Sequence, residues 1–330
     1  MTMFAKSLRR AARGAVLILI AIAIFAVPAE VYGADAEETA GYLLQTVPEP
    51  RFGSTGGEWG IIGISRAGIS LPSNYISGYY EDLENVFTQN AGDLGRKYTE
   101  YARVALALNE IGYDVTNVAG YNLIYYLTDY DSVVRQGING SIFALIALSE
   151  CGNSQNEVIN EYVGYILERQ HADGSFGLSE DGDADVTAMA IQALSHIDGR
   201  ANVDSAIENA AAYLSSIQNA DGTFSADGAA NCESTAQVLI AMSELGISLD
   251  DDRFVKNGNT VLDGLDRFYV SGGGYKHLTT QTEPDLMATE QALLALTSGY
   301  SERSIDVSKY DEMWKEAQRQ YERMNVAISE

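Results

Sequence analysis

Residues 169–194 read RQHADGSFGLSEDGDADVTAMAIQAL, and the fold follows from this stretch. It holds a helix end, a glycine-containing turn closed by an aromatic, an acidic cluster and the start of a small-residue helix. The series returns as IQNADGTFSADGAANCESTAQVLIAM from Ile217 to Met242, and more loosely as FYVSGGGYKHLTTQTEPDLMATEQALLAL from Phe268 to Leu296. Such a repeat marks an array of supersecondary units that bury their apolar faces on one another.

Aligned on the ends Ile64, Leu108, Leu148, Leu194, Met242 and Leu296, six related helices recur along the chain. They are small or aliphatic round most of their circumference, as in VALAL ending at Leu108 and VLIAM ending at Met242. A helix apolar nearly all round is buried on all sides, so these are inner helices. Amphipathic segments alternate with them over 74–89, 116–130, 155–170, 203–218, 254–269 and 307–324. Apolar residues at helical spacing with charges between predict outer helices with one wet face. A leading segment over 34–46 ends like a degenerate copy of the repeat, and period-two alternation is essentially absent. The expected fold is all-α: a single α/α toroid (an α6/α6 barrel) of about twelve helices, closed because closure removes ends that an open solenoid must cap.

The expected organisation is a signal peptide over 1–33, an N-terminal helix and connection over 34–52, toroid repeats over 53–300 and a C-terminal outer helix over 301–330. The leader rests on Lys6, Arg9, Arg10 and Arg13 ahead of an uncharged run from Ala15 to Val27, with small residues at Gly33 and Ala34. It predicts Sec-type export, to the outside or the cell surface, with membrane attachment only if the segment stays uncleaved. The net charge is −25. Such a field repels nucleic acid and anionic membrane surfaces, so neither is an expected partner. Two cysteines, Cys151 and Cys232, make no disulfide framework.

Three columns of the aligned helices vary in character. Nine residues before the reference position stand Thr55, Thr99, Asn139, Asp185, Glu233 and Met287. Five before it stand Trp59, Arg103, Phe143, Met189, Gln237 and Gln291, and two before it Ile62, Leu106, Ile146, Gln192, Ile240 and Leu294. Steps of four and three residues put these on one helical face. The stripe is expected to line a central cavity, with a polar rim at the N-terminal ends. The candidate ligand-binding residues are Trp59, Arg103, Asn139, Phe143, Met189, Gln192, Glu233, Gln237 and Gln291. Acids at a helix start also serve as caps, which is the plainer reading of Asp185 and Glu233 taken singly.

The Q-x-x-D-G-S/T-F turns at Gln170–Phe176 and Gln218–Phe224 resemble the repeats of the terpenoid cyclase and protein prenyltransferase α/α-toroid superfamily, from about Gly53 to Tyr300. In such repeats the Gln ties the outer helix end to the next inner helix. Asp183-Ala-Asp185-Val186-Thr187-Ala188 resembles the D-x-D-D-T-A motif of class II terpene cyclases, which implies Asp185 as general acid and Asp183 as its acidic neighbour. Val186 stands where the motif has its third acid, and Phe176 and Phe224 stand where cyclases have Trp. For a prenyltransferase-like zinc, Asp227, Cys232 and His277 lack the family's local pattern. Cys151-Gly152-Asn153-Ser154 lacks the Gln of the superfamily's thioester proteins. DVTAMA from Asp185 resembles stretches of the cobalamin-carrier α-domain. That implies a corrinoid as one ligand to test, with any closing β domain supplied by another chain. Asp181-x-Asp183-x-Asp185 invites Ca²⁺, but Val186 and Gln192 stand where an EF-hand loop has Gly and Glu.

Two functional readings follow. One is an exported, non-catalytic binder of a small amphipathic molecule or an extracellular protein through the acidic cavity mouth, with no cofactor or metal assigned. It expects an ionised, partly hydrated Asp185 at a helix start. The other is a terpene cyclase-like isomerase using Asp185, which requires a sealed, aromatic-lined cavity.

Overall fold

The computed structural model describes residues 35–299 apart from 96 and 153–156. The expected signal peptide and the expected C-terminal helix over 301–330 lie outside the described residues. Within them run thirteen α-helices and four short strands paired as two hairpins.

Six helices form the inner layer: α2 (Trp59–Arg66), α4 (Tyr98–Glu110), α7 (Ile138–Glu150), α9 (Ala184–Ser195), α11 (Cys232–Glu244) and α13 (Leu286–Leu296). Each packs on the next, and α13 packs on α2, so the ring closes. Their small residues allow this: Ala105, Ala107, Ala147, Ala188, Ala236 and Ala292 are fully buried. The outer layer holds α1 (Ala36–Thr46), α3 (Ser73–Gln89), α5 (Leu123–Leu127), α6 (Tyr130–Val133), α8 (Val158–Leu167), α10 (Ala201–Ile217) and α12 (Val261–Asp266). Helix α1 packs on both α13 and α2 and so covers the closure from outside. The architecture is the expected α/α toroid.

The outer layer is less regular than its spacing predicts, because local turn chemistry overrides periodicity. Over 116–130 the helix is delayed to Leu123, where Asn122 Oδ1 accepts from Ile124 N at 2.9 Å. Val118 and Tyr121 pair across a tight turn ahead of it. Over 254–269, Lys256-Asn257-Gly258-Asn259 folds into a second such turn, and α12 begins only after it in a Thr260–Asp263 capping box. Asn and Gly favour these turns by local hydrogen bonding and positive φ.

The repeated turn works by a different contact than the resemblance implies. Gln170 Nε2 donates to Gly174 O (3.0 Å) and to Ala206 O (2.7 Å), and Ala206 lies in α10. Gln218 Nε2 likewise reaches Gly222 O and Phe254 O. The glutamine therefore ties one outer helix to the next outer element, not to the inner helix. The inner tie comes from threonine: Thr187 Oγ1 accepts from Phe176 N and Thr235 Oγ1 from Phe224 N, at 2.9 and 3.0 Å. The loose third copy keeps it, with Tyr275 N donating to Thr289 Oγ1 at 2.9 Å. Phe176, Phe224 and Tyr275 are fully buried. Gly174 (φ 90°) and Gly222 (φ 87°) are required twice over, because a side chain there would strain the backbone and strike Asn209 O or Thr260 O.

Candidate functional site

The expected stripe does face the axis. A cavity of about 70 Å³ is lined by Trp59, Phe143, Met189, Gln237 and Gln291 from one column and by Ile62, Leu106, Ile146, Gln192, Ile240 and Leu294 from the next. Equivalent positions of six helices meet around one space, so the inner helices run parallel. A glutamine chain crosses it: Gln192 Nε2 donates to Gln237 Oε1 (2.9 Å), and Gln237 Nε2 to Gln291 Oε1 (2.6 Å). Trp59 and Phe143 approach at 5.9 Å between ring centroids. Ligand pockets run to roughly 300–1,000 Å³. The axis of this ring is mostly filled by its own side chains.

Arg103 departs from the expectation. It is not in the cavity wall; its Nε donates to Glu58 Oε2 at 2.8 Å, inside the seam where α2 meets its neighbours. Glu58 also accepts from Tyr79 Oη (2.8 Å) and Gly53 N (3.2 Å). Across the closure, Glu290 Oε1 accepts from Gly56 N at 2.9 Å, while Glu290 Oε2 is buried without a partner. Burial lifts the Glu290 carboxyl to about 8, and the charges of Glu58 and Asp285 add to it against the Gly56 N–H and Arg103. Burial also raises Glu58, outweighing Arg103. Sequence reading missed both acids. The one sign was their shared register, each six residues before the reference position.

The outermost polar column forms the N-terminal mouth. Asp183 caps α9, accepting from Val186 N at 2.7 Å, and Asp185 follows in the first turn. Ser234 of α11 approaches Asp185, but the two do not reach bonding geometry; Asp185 Oδ1, Ser234 Oγ and Asn139 Oδ1 are all buried without partners. Glu233 Oε2 pairs with His277 Nδ1 at 2.7 Å. His277 is carried over the mouth because its carbonyl accepts from Cys232 N at 3.0 Å. Burial raises the Asp185 carboxyl; Ser234 opposes it, Asp183 and Glu233 add to it, and His277 opposes it. The direction is opposite to that expected from a helix start alone. The reason is burial: Asp185 Oδ1 is shut off from solvent, and that outweighs the helix start.

Beside the same end of the ring lies a groove of about 530 Å³ between the start of α7 and the turn after Phe176. Its walls include Gln136, Ile138, Arg169, His171 and Leu178, the last 68% exposed. Among the described residues no group of three or more His, Cys, Asp or Glu side chains is placed to hold a metal ion.

A family model described as the prenyltransferase alpha-alpha toroid domain matches residues 129–248. The resemblance carried by the Gln170 and Gln218 turns holds there. Among solved structures, UGL recorded with dGlcA-Glc-Rha-Glc superposes with a TM-score of 0.52 at 14% identity, covering 82% of this chain and 96% of that one. The unsaturated glucuronyl hydrolase of Bacillus sp. GL1, described as responsible for the degradation of glycosaminoglycan, superposes at 0.51 and 13% over the same shares. At such identities the likeness shows the fold, an α/α toroid. No curated protein matches.

Proposed function

We propose that this chain is an exported, non-catalytic protein that binds a small amphipathic molecule at the N-terminal mouth of its ring. One observation carries the reading: the buried, unpartnered oxygens Asn139 Oδ1, Asp185 Oδ1 and Ser234 Oγ. Each such atom costs about 1–3 kcal/mol when left unsatisfied, which a ligand donating hydroxyl or ammonium protons offsets. The apolar part of the ligand lies along the adjoining groove, against Ile138 and Leu178. Export rests on the basic-then-apolar pattern over 1–33. An axial space of about 70 Å³ speaks against a polyprenoid folded for cyclisation.

A second reading is a hydrolase that uses Asp185 and the Glu233–His277 pair on a hydroxyl-rich substrate. It is favoured by the raised Asp185 carboxyl and by a fold shared with saccharide-processing enzymes. Calorimetric titration with octyl glucoside below its micelle concentration, and separately with dGlcA-Glc-Rha-Glc, decides between them. Octyl glucoside is expected to bind, to weaken at least about tenfold in Asp185→Asn, and to be recovered intact by mass spectrometry, as is squalene. No binding of octyl glucoside contradicts the binder. Cleavage of either glycoside, lost in Asp185→Asn, replaces it with the hydrolase.

A further inference from the structure

The groove that takes the ligand's apolar part has a polar wall which that reading leaves unused, made of Arg169 and His171. Both belong to the repeated turn, which reads RQHADGSF over 169–176 and IQNADGTF over 217–224. Gln, Asp, Gly and Phe stand at the same places in the two copies. Arg169 and His171 stand where the second copy has Ile217 and Asn219, so the turn itself requires neither.

Arg169 is held in a fixed attitude. Its Cζ lies 3.2 Å from the centroid of the Tyr165 ring, and its Nη1 donates to Tyr165 O at 2.9 Å. Tyr165 is itself tied down, its Oη donating to Val134 O at 3.2 Å. Among the described residues nothing meets Nε and Nη2 of Arg169, the edge with which a guanidinium grips a carboxylate side-on. Arg253 shows that grip in the same chain, with Nε and Nη2 on the two oxygens of Asp251 at 2.9 and 2.8 Å. An arginine already stacked and bonded on one side has less freedom to lose when a ligand arrives. Glu168, the one acid of the groove wall, is exposed to water, which screens it.

The proton of His171 is placed by its neighbours. Ser175 Oγ donates to Asp173 Oδ1 at 2.7 Å, so it accepts from His171 Nδ1, 3.1 Å away. The second copy has the same direction with an amide as donor: Asn219 Nδ2 donates to Thr223 Oγ1 at 3.0 Å, and Thr223 Oγ1 to Asp221 Oδ1 at 2.7 Å. With Nδ1 as the donor, a neutral imidazole carries its lone pair on Nε2, which has no partner among the described residues. The wall therefore offers a two-toothed donor and, two residues on, a single acceptor.

We propose that the groove binds a 2-hydroxy carboxylic acid with an apolar chain of medium length. The carboxylate accepts from Nε and Nη2 of Arg169, the hydroxyl donates to Nε2 of His171, and the chain lies along Ile138 and Leu178. This deepens the reading above, on which it rests for the apolar wall, by naming what the ligand presents at that end.

The test is calorimetric titration of the full chain with 2-hydroxyoctanoate, octanoate and 1,2-octanediol, each below its micelle concentration, at a mildly alkaline pH where free imidazole is neutral. We expect 2-hydroxyoctanoate to bind and to weaken as salt is added, with the diol at least about tenfold weaker and octanoate between. Arg169→Gln is expected to lose a similar factor. His171→Asn, a residue the second copy of the turn accepts, is expected to bring 2-hydroxyoctanoate down to the affinity of octanoate. Failure of 2-hydroxyoctanoate to bind overturns the proposal, as does equal binding of the diol. Unchanged affinity in a folded Arg169→Gln, or a hydroxyl preference that survives His171→Asn, does the same. If Arg169→Gln does not fold, the acid-to-diol comparison on the unmodified chain still decides. These probes leave the mouth oxygens aside, so their failure removes this site and not the mouth, whereas absent octyl glucoside binding removes the mouth.

Discussion

Replacing Arg103 by methionine is expected to destabilise the ring by about 3–5 kcal/mol at neutral pH, read as a lowered urea midpoint. Among the described residues the guanidinium is the one positive group hydrogen-bonded to Glu58, a side chain that is 0% exposed. Methionine fills much of the same volume, so the loss reports the stranded carboxylate rather than a void. Glu58 keeps Tyr79 Oη and Gly53 N, which stops the cost from rising further. The double variant Arg103→Met, Glu58→Gln is expected to recover a large part of it, because no buried charge then remains. A fold indifferent to Arg103→Met contradicts the seam described for α2. Octyl glucoside affinity is expected to be unchanged in the single variant at temperatures where it is folded.

The second large effect concerns Glu290, whose carboxyl stands at about 8 against an ordinary 4.5. The folded chain therefore holds a proton that the unfolded chain gives up. Stability from this group is fully present below the ordinary value, declines as pH rises above it, and is lost through about 8. The complete loss amounts to roughly 3–5 kcal/mol. Glu290→Gln keeps an oxygen for Gly56 N and has no proton to lose. Its stability relative to the parent chain is expected to climb by that amount from about pH 5 to about pH 9 in urea melts. Parallel pH profiles for the two proteins would show that Glu290 is not buried against Glu58 across the closure.

These two residues mark the limit of what the chain discloses by itself. The inner helices were legible because VALAL, ALIAL and VLIAM cannot present a wet face, and the two axial columns followed from a fixed register. Eleven of their twelve members line the cavity, Arg103 being the exception. It diverges because its partner, Glu58, ends the glycine-rich run STGGE, which has no periodicity to read. Glu290 is hidden for a related reason: its burial comes from Gly56 and Gly60, more than two hundred residues away in sequence. The outer helices over 116–130 and 254–269 are shorter than the apolar spacing predicts, since Asn122 and the Asn257-Gly258 pair outweigh it. At the mouth, the motif singles out Asp185 as a candidate, but no local pattern discloses the pairing of Glu233 with His277, which a loop brings in from forty-four residues on.

The most direct test of the account is a crystal structure of the full chain grown with octyl glucoside. The binding reading predicts the sugar at the N-terminal mouth, with its hydroxyls donating to Asn139 Oδ1 and Asp185 Oδ1 and its alkyl chain along Ile138 and Leu178. A mouth free of glycoside, with Asp185 and Ser234 closed into a hydrogen bond with each other, would contradict it.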